Sequence, residues 1–186
     1  MVVGIDEVGR GCWAGPLVAG AVLLRMPIAG LRDSKKLSRL QRERLEAIIC
    51  LEAAAFGLGW VSPAEVDKLG LTQAVRLAMQ RAMECITVPY AEIIIDGNYN
   101  YLADNPKSRC LVKADTTVPA VSAASIIAKV ARDAYMRGIA RSYPGYGFES
   151  HVGYGTAVHR SALQQLGACD LHRSLFTPIR NLLEHS

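Results

Sequence analysis

The hydrophobic and polar positions of this chain predict short buried strands separated by amphipathic helices. Residues 2–5, 17–24 and 53–61 are nearly continuous apolar runs of strand length. Shorter apolar runs at residues 93–95 and 110–112 predict two further strands. The chain therefore carries five candidate strands, three of which lie in its first third.

Helix-start and helix-stop signals fill the segments between those strands. Ser62, Pro63 and Glu65 form a capping-box pattern that predicts a short helix ending at Gly70. Residues 120–143 have the apolar spacing of a long amphipathic helix. The other predicted helices begin at Ser38 (with Ser34 as the alternative N-cap), at Thr72, at Thr156 and after Pro178.

The order of these elements indicates the class of fold. Three early strands in series predict an antiparallel meander, whereas strands that follow helices are typical of parallel additions. We therefore predict an α/β fold in which a mixed five-stranded sheet is flanked by helices, with a small helical C-terminal extension. No internal repeat or linker divides the chain.

The composition is that of a compact globular protein. The 186 residues are 51% hydrophobic and 20% charged, which is enough for one full domain core. A net charge of +4 permits a polyanionic partner without requiring one. No apolar run approaches the roughly 18 residues of a membrane span, and the first strand starts too early for a signal peptide.

The five cysteines are widely scattered and show no C-x-x-C spacing, and the four histidines lack metal-ligand spacing. This pattern argues against a disulfide framework and against a zinc site. Reduced thiols are the simple interpretation, so we expect a cytoplasmic protein.

Two adjacent carboxylates, Asp6 and Glu7, directly follow the first apolar run. Neighbouring residues of a strand point to opposite faces, so both cannot lie on a solvent side. A buried carboxylate needs a compensating cation, and Mg²⁺ and Mn²⁺ prefer such hard oxygens. Gly9, Arg10 and Gly11 then offer backbone amides and a guanidinium to a phosphate or sugar. Taken alone, these residues equally describe a strand that ends in a charged turn.

Further acids stand at or near the ends of two later strands. Asp96 follows the run at 93–95, and Asp115 follows the run at 110–112. Ligands of α/β sheets gather at the carboxyl ends of strands. Asp96 with Gly97 and Asn98 would by itself be more typical of a turn. Together with Asp6 and Glu7, these acids predict an all-oxygen site for one or two Mg²⁺ or Mn²⁺ ions and phosphodiester chemistry.

Several long motifs occur in one order along the chain. They are Asp6-Glu7-Val8-Gly9-Arg10-Gly11, Asp33-Ser34-Lys35-Lys36-Leu37, Ile95-Asp96-Gly97-Asn98, Lys113-Ala114-Asp115, residues 123–133 and Gly153-Tyr154. In order and spacing they resemble the bacterial ribonuclease HII family. The resemblance covers nearly the whole chain, from residue 2 to about residue 178.

That resemblance implies a ribonuclease H-like fold and an endonuclease that cuts the RNA strand of RNA–DNA hybrids. It also implies incision 5′ of ribonucleotides embedded in duplex DNA, by two-metal-ion hydrolysis that leaves 3′-hydroxyl and 5′-phosphate ends. Residues 1–143 would form the catalytic domain, and residues 144–186 a C-terminal loop and helices that complete the substrate-binding face of the same globule. We expect a monomer, and the sequence names no partner on the replication machinery.

The resemblance also implies roles for individual residues. Asp6, Glu7, Asp96 and Asp115 would be the catalytic, metal-binding acids. Gly9, Arg10 and Gly11 would read the ribose 2′-hydroxyl, and Tyr154 would stack on the adjacent deoxyribose. Lys35 and Lys36 would contact phosphates, although a lysine pair before a helix is by composition more typical of a solvated face.

Some positions depart from the family pattern or have no role in it. Cys12 and Val152 stand where proline and lysine are common, and the loss of that lysine would weaken a contact with the nucleic-acid backbone. Lys129 and Asp133 are spaced as an exposed structural ion pair. Three histidines could titrate near neutrality but lack a mechanistic role, namely His151, His159 and His172.

Two alternatives remain at the level of sequence. Another nuclease of the same superfold, such as a resolvase or transposase core, would also present acids at strand ends. The Gly9-Arg10-Gly11 turn and the lack of an extra DNA-binding domain argue against it. A non-catalytic nucleic-acid-binding module would need no clustered acids, which repel phosphate in the absence of metal.

Overall fold

A mixed five-stranded sheet forms the centre of the protein in the computed structural model, which describes residues 1–31 and 34–184. The spatial order of the strands is β3-β2-β1-β4-β5. The first three pair antiparallel, and β4 and β5 add in parallel beside β1, as the sequence predicts. The strands are β1 (Val2–Val8), β2 (Leu17–Leu24), β3 (Ala53–Val61), β4 (Glu92–Asp96) and β5 (Ser108–Leu111).

Helices cover both faces of the sheet. They are α1 (Arg39–Glu52), α2 (Pro63–Leu69), α3 (Leu71–Glu84), α4 (Ala114–Thr117), α5 (Pro119–Ile139), α6 (Phe148–His151), α7 (Ala157–Leu166) and α8 (Thr177–Glu184). Short 3₁₀ turns at Ser34–Lys36 and Ala140–Ser142 precede α1 and extend α5. Within the described residues, no helix is both long enough and apolar enough to cross a membrane.

Side-chain caps explain where three of these helices begin. Ser38 caps α1 and Ser62 caps α2, each in a complete capping box, and Thr156 caps α7. The prediction that Thr72 begins a helix is wrong, because α3 begins at Leu71. Gly70 has a φ of 75° and serves as both the C-cap of α2 and the N-cap of α3, so the chain reverses there. Asp33, in the second motif, lies outside the described residues.

The two faces of β1 belong to different parts of the core. Val3 and Ile5 pack with the apolar face of α3 in one buried cluster. Gly4 faces the other way, towards the start of α5. Since side chains alternate along a strand, Asp6 lies on the α5 face and Glu7 on the opposite face. The two adjacent acids therefore leave β1 in different directions.

Helix α5 lies directly on β1 and β2, because glycines face it from both strands. A Cβ atom placed on Gly4 would lie 2.1 Å from the carbonyl carbon of Ala120, and one on Gly20 would lie 2.4 Å from the carbonyl oxygen of Ala124. Real side chains do not tolerate such distances to backbone atoms. The two glycines therefore set how closely α5 approaches the sheet.

The residues that follow α5 pack against the loop between β1 and β2. Ala14 from that loop, Met136 from α5 and Phe148 from α6 are fully buried in one apolar cluster. Ala14 also forms a β-bridge with His172. The C-terminal extension is thus helical, as predicted, and its role in substrate binding stays a prediction.

We expect Gly4→Ala to destabilise the fold by about 3 kcal/mol, because the new methyl group meets helix backbone and α5 must shift. Gly138→Ala is the matched control: a Cβ there meets nothing within 4 Å, and alanine in a helix is about 0.5 kcal/mol better than glycine. Urea unfolding measures both changes. Equal stability of the Gly4→Ala protein and the wild type would contradict the close approach of α5.

Candidate active site

The acids predicted from the sequence meet at one edge of the sheet. Ile5 of β1 pairs with Ile95 of the parallel neighbour β4, so Asp6 and Asp96 follow at the same level. Asp115, in the first turn of α4, donates its backbone N–H to Oδ1 of Asp96 at 3.4 Å. The parallel pairing of β1 with β4 therefore brings the acids of two strand ends together, and the hydrogen bond from Asp115 joins a third segment to them.

Asp115 reaches this edge through an unusual backbone conformation. Lys113 has φ and ψ of 59° and 33°, a left-handed conformation that non-glycine residues seldom adopt. This turn ends the strand region and starts α4, and it leaves Asp115 only 5% exposed. The Ser122 hydroxyl of α5 donates to the Asp115 carbonyl oxygen. Lys35 Nζ lies 3.7 Å from Asp115 Oδ2.

Burial and mutual repulsion make the acids of β1 hard to ionise. The pKa of Asp6 is raised to about 8, first by burial and then by the charge of Glu7, with a smaller contribution from Asp96. A hydrogen bond from the Ser125 side chain opposes that rise. Burial also raises the pKa of Glu7, which Arg10, 3.8 Å away, partly offsets. Burial is the first cause of both shifts, and a nearby positive charge would oppose them.

The donors fit a hard divalent cation in chemistry. As the side chains stand, no group of three or more His, Cys, Asp and Glu in residues 1–31 and 34–184 is arranged to hold a metal ion. Asp6, Glu7 and Asp96 nevertheless line one cavity and offer it only carboxylate oxygens, the ligands that Mg²⁺ and Mn²⁺ prefer. A cation there would remove the repulsion that raises the pKa of Asp6.

Asp6, Glu7 and Asp96 open into a cavity of about 430 Å³, whereas Asp115 is not among its lining residues. Its lining includes the predicted residues Gly9, Arg10, Gly11, Lys35 and Tyr154. It also includes five residues that were not predicted as site residues: Val8, Ser34, Arg42, Ser125 and Lys129. Lys36 is exposed and is not among the lining residues. A larger cavity of about 570 Å³, between α3 and residues 90–105, lies apart from the acids.

Ser125 and Lys129 are the two of these missed residues that helix α5 supplies. They lie four residues apart, and therefore on one face of α5. Lys129 Nζ does pair with Asp133, at 3.0 Å, as predicted, but the prediction of an exposed pair is wrong because Asp133 is buried. Lys129 Nζ also lies 5.3 Å from the centre of the Tyr154 ring, so the loop after α6 covers this part of the helix.

Tyr154 stands at the rim of the cavity, and Lys129 and Arg132 of α5 lie next to its ring. Burial raises the pKa of Tyr154 to about 12, with smaller contributions that include the Cys12 thiol, so the phenol stays neutral. Arg132 lies 5.8 Å from the ring centre. Val152 has a φ of 45°, a strained conformation for a β-branched residue, and it turns the chain towards Tyr154.

Two glycines of the turn after β1 have different reasons to be glycine. Gly9 has a φ of 85°, and a Cβ there would lie 2.3 Å from Nε of Arg132. The fold itself therefore requires glycine at this position. A Cβ on Gly11 would meet no protein atom within 4 Å. The space next to Gly11 is therefore open on the side of the cavity.

A chain of histidine hydrogen bonds supports the Tyr154 backbone. His172 Nδ1 accepts from the Cys169 N–H at 2.9 Å, so the proton of His172 is on Nε2, which faces His159 Nε2 at 3.0 Å. His159 Nδ1 then donates to the Tyr154 carbonyl oxygen at 2.9 Å. Each bond in this assignment requires neutral imidazole rings.

His151 completes the support of this loop. Its Nδ1 accepts from the Gly153 N–H at 3.2 Å, its Nε2 donates to the Tyr146 carbonyl at 2.7 Å, and its ring stacks on His159. Burial lowers the pKa of His159 to about 4 and also lowers that of His172. The prediction of titration near neutrality is therefore wrong for His159, whereas the lack of direct contact between these histidines and the acids is consistent with the structure.

We expect His159 to lower the stability of the fold as the pH falls from about 6.5 to about 4, whereas the raised pKa of Asp6 acts in the opposite direction over the same range. The folded pKa of His159 lies below its unfolded value of about 6.5, so the unfolded chain binds more protons in this window. One such group contributes a slope of at most about 1.4 kcal/mol per pH unit. His159→Asn keeps an N–H donor near Nδ1 but does not titrate, so urea unfolding over this range should show a smaller slope. A slope equal to that of the wild type would contradict the assignment.

Comparison with known proteins identifies close relatives of this chain. A family model described as Ribonuclease HII matches residues 3–179. Ribonuclease HII of Halorhodospira halophila is 51% identical over 185 residues, which cover 98% of this chain and 94% of the relative. Ribonuclease HII of Nitrosococcus oceani is 48% identical over 185 residues, covering 98% and 92%.

Solved structures share the fold over nearly the whole chain. The crystal structure of ribonuclease H2 from Pyrococcus horikoshii OT3 has a TM-score of 0.81 at 25% identity and covers 99% of this chain and 97% of its own. The RNase HII in the PCNA:RNase HII complex from Archaeoglobus fulgidus has a TM-score of 0.83 at 25% identity, covering 98% and 96%. The fold is therefore the ribonuclease H-like one that the sequence predicts.

Proposed function

The chain belongs to the ribonuclease HII family of hydrolytic endoribonucleases, which degrade the RNA of RNA–DNA hybrids, and from that premise we propose how its cavity acts. The proposed reaction is hydrolysis 5′ of a ribonucleotide, within a hybrid or embedded in duplex DNA, leaving a 3′-hydroxyl and a 5′-phosphate. The observation that carries the proposal is that three of the acids (Asp6, Glu7 and Asp96), the Gly9-Arg10-Gly11 turn and Tyr154 share one cavity. Asp115 is joined to that group through its hydrogen bond to Asp96. We further expect a cytoplasmic monomer.

The proposed metal ligands are Asp6, Glu7, Asp96 and Asp115. One or two Mg²⁺ or Mn²⁺ ions bound there would supply an activated water and stabilise the leaving oxygen. The protein's own contribution is to hold the carboxylates: Ser125 bonds Asp6, and the Asp115 N–H bonds Asp96. The rigid sheet edge and α4 thus fix the acids before substrate arrives.

Cations around the same cavity suit the phosphates of a nucleic acid. Lys35, Arg42 and Lys129 line it, and Arg10 is half-exposed beside Glu7. We assign these residues to phosphate contacts, with Lys36 as an outer contact on the same 3₁₀ turn. The amide-rich turn at Gly9-Arg10-Gly11 lies where a ribose could approach, and the Tyr154 ring offers a flat surface to the following sugar.

Asp6→Asn is expected to abolish cleavage while binding of a hybrid duplex persists. The substitution removes a proposed metal ligand but leaves the phosphate-contacting cations in place. Cleavage of a labelled RNA–DNA hybrid is measured in Mg²⁺, in Mn²⁺ and in EDTA, with Asp104→Asn as the control acid far from the cavity. EDTA should abolish cleavage by the wild type and by the control.

Two results of that experiment would argue against the proposal. More than a few per cent of the wild-type rate in Asp6→Asn at saturating Mg²⁺ would remove Asp6 from the metal site. Hybrid binding by the wild type without any metal-dependent cleavage would instead favour the non-catalytic binding module.

Tyr154→Ala is expected to reduce incision at a single embedded ribonucleotide about tenfold to a hundredfold, by analogy with base–aromatic stacking worth about 1–3 kcal/mol. Cleavage of long hybrids should fall less, because many registers are available there. Tyr154→Phe keeps the ring and is the matched control. A gel assay of both substrates at equal salt measures all three proteins. Equal losses on the two substrates would mean that Tyr154 only packs its loop.

A further inference from the structure

Two arginines are completely buried beneath the loop that joins β1 to β2. Arg132 of α5 and Arg173, between α7 and α8, are both 0% exposed. Within the described ranges 1–31 and 34–184, neither forms a salt bridge with a carboxylate. The guanidinium groups of both arginines donate hydrogen bonds to backbone carbonyl oxygens. Burying a charge costs free energy unless the charge is well hydrogen-bonded, so these contacts indicate a structural role for both arginines.

The carbonyl oxygens bound by Arg173 belong to the turn that follows the catalytic strand. Its Nη1 donates to the Arg10 carbonyl at 3.1 Å, and its Nε and Nη2 donate to the Gly15 carbonyl at 3.1 and 2.9 Å. The backbone N–H of Arg173 also donates to the Trp13 carbonyl at 2.9 Å. A residue 163 positions away in sequence therefore sets the orientation of the Arg10 peptide group.

That orientation determines where the next amide points. In a trans peptide the C=O and the following N–H are antiparallel, and no peptide of the described chain is cis. Because Arg173 draws the Arg10 carbonyl inward, the Gly11 N–H points outward, on the side of the cavity that Gly11 lines. Within the part of the chain that the structure describes, no hydrogen bond uses this N–H. The absence of a side chain on Gly11 leaves room for a ligand atom to approach it.

The charge of Arg173 strengthens the same arrangement. Burial lowers the pKa of Arg173 to about 10, so the group remains cationic at neutral pH. The charge of Asp67 raises that pKa. The Asp67 carboxylate itself accepts hydrogen bonds from the backbone N–H groups of Ser174 and Leu175. A cation bound to the Arg10 carbonyl polarises the peptide and makes the Gly11 N–H a better donor.

We propose that Arg173 is a positioning residue for sugar recognition, which holds the Gly11 amide towards the 2′-hydroxyl of the ribonucleotide. The inference rests on the proposed function and adds to it a residue outside the cavity. Arg173 touches no reacting atom in this scheme. Its effect passes through one peptide group.

Arg132 provides the matched comparison. It is equally buried and also bonds only carbonyls, those of Pro16, Val152 and Ala14. It therefore supports the Tyr154 loop and the start of β2, but it does not hold the Arg10 peptide. Lysine at either position keeps a positive charge and loses the multiple hydrogen bonds of the guanidinium fork.

The test compares binding of two duplexes of identical sequence, one with a single ribonucleotide and one entirely of DNA. Fluorescence anisotropy in EDTA, at matched salt, measures the affinity of the wild type, Arg173→Lys and Arg132→Lys for each. We expect Arg173→Lys to reduce the preference for the ribonucleotide about tenfold, the value of roughly one well-placed hydrogen bond. Arg132→Lys should weaken both duplexes alike and keep the preference. Thermal unfolding records the stability that each variant loses.

Three outcomes would overturn the proposal. The first is a wild type that binds the two duplexes equally well, and the second is an Arg173→Lys protein that keeps the wild-type preference for the ribonucleotide. The third is an equal loss of this preference in both variants, which would show that loosening of the loop is enough to abolish it. Cleavage of a long hybrid by the wild type in Mn²⁺ is assayed separately, so that failure of the nuclease assignment is distinguished from failure of this inference.

Hydrogen exchange of the wild type keeps the test decisive if Arg173→Lys does not fold. The Gly11 amide should exchange quickly in the free protein and become protected by the ribonucleotide duplex more than by the DNA duplex. A Gly11 amide that is already protected in the free protein would point into the chain and overturn the proposal.

Discussion

The close packing of α5 on β1 and β2 is the contact on which the rest of this structure depends. It exists because Gly4 and Gly20 present no side chain to the helix. The helix then supplies Ser125 to the acid at the end of β1 and Lys129 to the cavity. It also carries Arg132 to the carbonyls of the neighbouring loop. A shift of the helix by one ångström would alter all of these contacts together.

The charges of the site are arranged so that each sign is stabilised by a different means. The buried carboxylates of Asp6 and Glu7 repel one another and have raised pKa values, a state that a bound cation would relieve. The buried guanidinium groups of Arg132 and Arg173 are stabilised by backbone carbonyls. Because Arg173 binds the Arg10 carbonyl on the inner side of the loop, the Gly11 N–H is left for its outer side. The cavity therefore combines carboxylates that lack a counter-charge with a backbone amide that is open to a ligand.

The C-terminal residues His159, His172 and Arg173 support the backbone of the loops that line this cavity. The hydrogen bonds from His172 through His159 end at the Tyr154 carbonyl, and Arg173 ends at the Arg10 carbonyl. Both contacts are made to backbone carbonyls. The orientation of the backbone in turn sets the direction of the Tyr154 ring and of the Gly11 N–H. The strained conformations of Lys113 and Val152 stand just before the two other segments of the site, Asp115 and Tyr154. Strain of this kind persists only where surrounding contacts hold it.

The sequence by itself determined the elements and the chemistry of the acids. Apolar runs and capping boxes follow local rules, so the five strands, the caps at Ser38 and Ser62, and the acids at strand ends were predictable from nearby residues. Only the tertiary structure decided the burial of Asp133, the low pKa of His159 and the partners of Arg173. These depend on contacts between residues far apart in the chain, which no local pattern encodes. An arginine in a C-terminal loop looks like a solvated charge until the fold closes over it.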